Sequence, residues 1–171
     1  MDCGNDDQGT EPSSEYAPHA VLHLSATSRE HVAKHKLDME PDPEVTLIGI
    51  SSHVNDYRLC WALNRTLGIN LTRRAEDITD PGPEQMASYA AFDHTDPDTD
   101  ANWTLVHNHS GDGILLKEQK QADFFLVVDE SVPISPDELL EQVRGAEFVL
   151  TAFTLDARHV RGVHKLLRHI Q

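Results

Sequence analysis

VTLIGISSHVNDYRLCWALN, residues 45–64, changes its hydrophobic rhythm halfway along. Residues 45–50 are a short apolar run rich in β-branched side chains, the pattern of a buried strand. Further on, Leu59, Cys60, Leu63 and Leu67 recur at helical spacing, so one face of a helix is buried. Asn55 or Asp56 stands where that helix needs a cap. Gly68 supplies a left-handed stop, with Ile69 available for the apolar contact beyond it. The stretch is therefore a strand running into a helix. The question it raises is whether the polar residues at the seam are architecture or a site.

Working outward, LTRRAEDI reads as a second strand or extended segment, and PGP at 81–83 breaks the chain. MASYAAFDH and NWTLVHNH flank DPDTDA as a hairpin, and SGDG at 110–113 is a turn. ADFFLVVD, residues 122–129, is almost wholly apolar, which suits a strand buried on both faces. Ser135-Pro136-Asp137-Glu138 opens a helix: Ser caps, Pro takes the first helical position and Glu138 completes a capping box. Leu139, Leu140 and Val143 form its apolar side and Gly145 ends it. FVLTAFTL, 148–155, reads as another central strand. Asp156 caps a last helix with Val160, Val163, Leu167 and Ile170 as its inward stripe. Hairpins mixed with single helices indicate an α+β (mixed α/β) fold. It has one central, largely antiparallel sheet with about three helices packed mainly on one face.

A length of 171 residues fits one domain. Residues 1–33 carry Gly, Pro, Ser, Asp and Glu without a sustained period and read as a disordered or loosely docked tail, leaving 34–171 as the domain. Twenty-nine acidic residues against 14 basic ones give a formal net charge of −15. That charge disfavours whole-surface attraction to nucleic acid or anionic membrane, which carry the same sign. It reads as adaptation to a salty cytoplasm, with a functional acidic patch as the competing reading. Two cysteines, Cys3 and Cys60, make no disulfide framework and fit a reducing compartment. No membrane span or secretory pattern is visible, so the expected location is cytoplasmic.

TLIGISSHVNDYRLCWALNRTLGINLTR, preceded by KHKLDME, together with LLKEQKQADFFLVV and FVLTAFTLDARHV, resembles the bacterial IPExxxVDY family. On that pattern Glu118 stands at the E, Asp123 at the D and Phe124 at the final aromatic, while Leu116, Lys117 and Ala122 replace Ile, Pro and Val. Asp56, Tyr57, Arg58, Trp61 and Asn64 carry the more specific part of the match. The resemblance implies a small, soluble bacterial cytoplasmic protein and brings no reaction, ligand or catalytic residue with it.

Ser51, Ser52, His53 and Arg58 lie at a strand end and helix N-terminus, where backbone N–H groups and the helix dipole attract anions. A phosphate or carboxylate site is one reading; helix capping by Ser, Asn and Asp is the simpler one, since no glycine-rich cradle accompanies them. A serine triad at 52–56 is a poor case, because its members normally come from separate elements. Cys60 lies in the apolar pattern, where a thiol is inert. His107 and His109 share one strand face, and His94 would join them if the hairpin closed tightly, but nothing in the sequence fixes three imidazoles on one patch, and no metal or other cofactor is expected. DHTDPDTD lacks the spacing of a calcium loop. Glu118 and Asp123 have a conformational role as the economical reading: Glu118 as a cap or ion pair across the turn, Asp123 as an acceptor for backbone N–H groups. Arg158, Arg161, Lys165 and Arg168 make the last helix basic, a candidate docking surface for an acidic protein partner or RNA, or simply a complement to the helix dipole. The expectation is a non-enzymatic interaction or regulatory module. The alternatives are a small-anion or nucleotide-binding protein, possibly an enzyme, using 51–58, or RNA binding through the terminal helix.

Overall fold

A computed structural model describes residues 44–81 and 85–167. The tail expected over 1–33, the KHKLDME stretch, Gly82, Pro83, Arg168 and Ile170 lie outside the described residues. Six strands form the main sheet: β1 (Val45–Ser51), β2 (Thr72–Arg73), β5 (Ala91–Thr95), β6 (Asn102–His107), β9 (Phe124–Asp129) and β10 (Thr151–Leu155). Their order is β10-β1-β9-β6-β5-β2, and every pairing is antiparallel. Two small ribbons accompany it, β3 (Ile78–Pro81) with β4 (Met86–Tyr89) and β7 (His109–Ser110) with β8 (Gly113–Ile114). The helices are α1 (Asp56–Leu67), α2 (Pro136–Arg144) and the short α3 (His164–Leu167). The expected α+β architecture is present.

The alternation of β1 and β9 divides the interior in two. Ile48, Ile50, Phe124, Leu126 and Val128 face α1 and α2, meeting Leu59, Leu63, Leu139 and Val143. Leu47, Phe125 and Val127 face the opposite layer, where Ile78, Tyr89, Leu115, Leu116 and Leu166 cover them. The five residues Phe124 to Val128 are all buried because β9 is central and both faces are covered. Gly49 sits between, opposite Phe125 and Phe153. A Cβ there would come within 2.7 Å of the Phe153 ring, so the missing side chain makes room for that ring.

Both long helices start and stop as the sequence directs. Asn55 Oδ1 accepts from Arg58 N (3.1 Å), and Ser135 Oγ accepts from Glu138 N (3.3 Å). Gly68 adopts φ +70° and donates to Asn64 O. Three expectations need correction. FVLTAFTL is not a central strand: β10 begins only at Thr151, lies at the sheet edge, and Arg144 Nε donates to Ala152 O (3.0 Å). Phe148, at φ +69°, turns the backbone away from strand geometry before it. MASYAAFDH is not one hairpin arm, because β4 pairs with β3 while β5 pairs with β6. The last helix does not run from Asp156: that residue caps a single 3-10 turn over Ala157–His159, and Gly162 at φ +82° precedes α3.

Candidate functional site

The polar seam of β1 and α1 closes onto the start of β9. Asp123 Oδ2 accepts from Ser51 Oγ (3.1 Å) and from Ser52 N (2.8 Å). Asp123 N donates to Ile50 O, and Asp123 O accepts from Asn108 N. Ser52 Oγ donates to Phe148 O (2.8 Å), drawing in the segment between α2 and β10. Sequences 72 and 96 positions apart are thereby fastened to one turn. Asp123 does accept from a backbone N–H, but that N–H is Ser52's, just past the end of β1, rather than one of its own strand.

Asn108 is the hidden organiser of this corner. It is wholly buried. Its Nδ2 donates to Gln119 O and Ala122 O (3.1 and 2.8 Å), and its Oδ1 accepts from Leu116 N (2.9 Å). One amide thus shapes the whole loop 115–122 that delivers Asp123. Sequence reasoning passed over Asn108, Phe148 and Gly49. An Asn between two histidines in a strand was the sole sign of the first.

Glu118 and Asp123 do not converge. Glu118 pairs at the surface with Arg161 (3.2 Å), not across its own turn. His109 Nδ1 stands 3.9 Å from Asp123 Oδ1, and His109 Nε2 is buried without a partner. The series Ser51–Asp123–His109 has the carboxylate in the middle. The serine hydroxyl therefore gives its hydrogen bond to Asp123, and no imidazole accepts from it as nucleophilic catalysis requires. His107 stacks on Phe124 (centroids 4.5 Å apart), and burial holds its pKa below the ordinary histidine value. His94 lies opposite Trp103, four positions along β6 from His107, roughly 13 Å away. Among the described residues no three His, Cys, Asp or Glu side chains gather as a metal would need. Cys60 is buried, donates to Leu71 O (3.3 Å), and burial pushes its thiol up to about 11.

Several of the donors an anion would use are already engaged. Ser52 N goes to Asp123, Val54 N to Ser52 Oγ (3.5 Å), Tyr57 N to the Asp56 carboxylate and Arg58 N to Asn55. Arg58 itself turns away, its guanidinium lying 4.5 Å from the centroid of the Phe148 ring. His53 is exposed and makes no hydrogen bond among the described residues. Three open depressions, of about 240, 410 and 670 Å³, are lined by none of Ser51, Ser52, His53, Arg58 or Asp123. Asn64 bonds both polar groups of Leu71, closing the exit from α1, and Phe124 is core.

Among the described residues, the basic side chains of the terminal segment are paired internally. Arg158 binds Asp156 (2.9 Å), Arg161 binds Glu118, and Lys165 Nζ reaches Asp80 (2.8 Å). By contrast α1 leaves Tyr57 60% and Trp61 53% exposed. Among the described residues no helix is long and apolar enough to cross a membrane. Set against known protein families and curated proteins, the chain matches no family model and no curated protein.

Proposed function

We propose that this protein is a non-enzymatic interaction or regulatory module that works by surface contact. The observation carrying this reading is the closure of its most reactive-looking corner. Asp123, Ser51, Ser52 and Asn108 hydrogen-bond one another and the backbone, holding three distant segments together. A serine whose hydroxyl is given to a structural carboxylate, and a helix N-terminus where Tyr57 N and Arg58 N are already taken, leave chemistry little to work with.

Membership of the IPExxxVDY family, with a bacterial cytoplasmic setting, belongs to the same proposal. What supports it is that the quoted residues hold distinct structural posts: Asp123 on the β1 turn, Phe124 in the core, Asn64 at the α1 exit.

The small-anion alternative supplies the test. A thermal-shift screen with nucleotides and phosphorylated metabolites should leave the melting temperature within about 1 °C of the unliganded value. A ligand that stabilises the wild type and loses its effect in Arg58→Ala would replace this reading with an anion-binding one. Affinity capture from native lysate at matched salt should also recover a defined partner; clean beads at every salt concentration count against a contact function.

A further inference from the structure

Seven arginines lie among the described residues, and five of them bind carboxylates: Arg73, Arg74, Arg144, Arg158 and Arg161. The remaining two, Arg58 and Arg65, are both exposed on α1 and form no ion pair among the described residues. In a chain with about two acidic residues for each basic one, unpaired guanidiniums on a single helix stand out. Each lies over an aromatic ring instead, Arg58 over Phe148 at 4.5 Å and Arg65 over Trp61 at 5.6 Å. Such stacking holds the guanidinium plane in place while leaving N–H groups for an incoming acceptor. On the same side of the helix stand Trp61, between them along the axis, and Tyr57, just before Arg58; the two rings are four residues apart and more than half exposed. The one acidic residue of α1, Asp56, is offset by Arg73 at 3.5 Å. The face is thus aromatic and locally positive on an acidic molecule, and Tyr, Trp and Arg are the residues that dominate protein-contact energies.

We propose that the solvent face of α1 docks an acidic segment of a partner protein, in which two carboxylates about 10 Å apart bracket an apolar side chain. The spacing follows from seven residues of helix rise between Arg58 and Arg65, roughly 10.5 Å. Each carboxylate takes one guanidinium by paired N–H bonds, and the apolar group covers Tyr57 and Trp61. Charge complementarity selects the occupant. A nucleic acid is disfavoured by charge, since two unpaired guanidiniums are set against a surface that is otherwise strongly acidic. A strand with one charge per nucleotide also meets the full repulsion of the acidic body, whereas a short segment brings only two or three charges.

This assignment rests on the contact reading above, and its test separates the two. Random peptides are displayed against the immobilised full chain at about 0.15 M salt. Acidic peptides with a central apolar residue are expected to be enriched, and the synthesised consensus should change the emission of exposed Trp61. The surface double variant R58E/R65E, checked to melt as wild type, should bind that peptide about tenfold or more weakly, as should Trp61→Ala. Enrichment of non-acidic peptides, no enrichment, or acidic peptides indifferent to R58E/R65E would overturn the assignment. So would tighter binding of an oligouridylate than of the best peptide. A partner that cross-links elsewhere and leaves Trp61 emission unchanged would sink the α1 site while leaving the contact function standing.

Discussion

At the scale of single residues, Asn108 carries more of this structure than any charged group. It is 0% exposed and uses both ends of its amide on the backbone of 116–122. Asn108→Leu leaves the Ala122 carbonyl and the Leu116 N–H without their side-chain partner, each costing about 1–3 kcal/mol, while Gln119 O keeps Ala122 N. The variant should lose about 2–4 kcal/mol in denaturant unfolding, and a loss below about 1 kcal/mol would show that the loop is held by something else. His107 offers a pH-dependent test. Burial is the main cause of its lowered pKa; His109 and Arg73 act in the same sense, while Asp56 and Asp123 oppose them. The folded chain therefore takes up this proton less readily than the unfolded chain. Between the folded value and the ordinary 6.5 the unfolded state binds more protons, so stability falls as pH drops through 6.5 and levels off below the folded value. His107→Phe keeps a ring on Phe124 and removes the proton. Its melting temperature relative to wild type should rise as pH is lowered from about 8 to 5. A difference that stays constant across that range would remove His107 from the pH response.

At the scale of elements, α1 is fixed at both ends by local rules and on one face by the core. Gly68 has φ +70° with nothing within 4 Å of where a Cβ would stand. Gly68→Ala therefore tests backbone strain alone and should cost about 1 kcal/mol, measured by chemical unfolding. No measurable loss would mean the helix ends elsewhere in solution. These features were legible because capping and helical spacing depend on residues adjacent in sequence. The same holds for Ser135 over α2 and for the uniform apolar run of β9. What local pattern misses is lateral position. Ala152 and Phe153 look alike in a central and an edge strand, and the order that puts β10 outside β1 is set by distant pairing. The last helix failed for a different reason: Val160, Val163 and Leu167 keep a helical period while Gly162 adopts a conformation that interrupts it. Asp123 was legible as a structural acceptor, yet its partners Ser51 and Ser52 lie in another segment, as do those of Asn108. Ser51 and Ser52 give donors to the Asp123 carboxylate, a mutual engagement the sequence could not express because the partners lie in separate segments.

At the scale of the whole molecule, the net charge of −15 is a self-repulsion that packing must overcome. Internal ion pairs offset part of it. Most are exposed, such as Arg158 with Asp156 and Arg161 with Glu118, and an exposed pair stabilises by only about 0–1 kcal/mol. Added salt weakens both effects, so the sign of the response shows which is larger. At about 0.1 M the screening length is about 10 Å, and at 1 M about 3 Å, short enough to silence most like-charge neighbours on a small protein. Fifteen unbalanced negative charges outweigh a few surface pairs, and a salt-adapted surface requires this ordering. Between about 0.05 and 1 M KCl the melting temperature should therefore climb by several degrees, with most of the gain below about 0.5 M, where screening changes fastest. Circular dichroism melts across a KCl series provide the measurement, and an equal osmolarity of sucrose separates screening from general exclusion of solute. A flat or falling series would mean that the ion pairs prevail and that the acidic surface imposes no cost for salt to relieve, leaving the acidic patch as the better account of the charge.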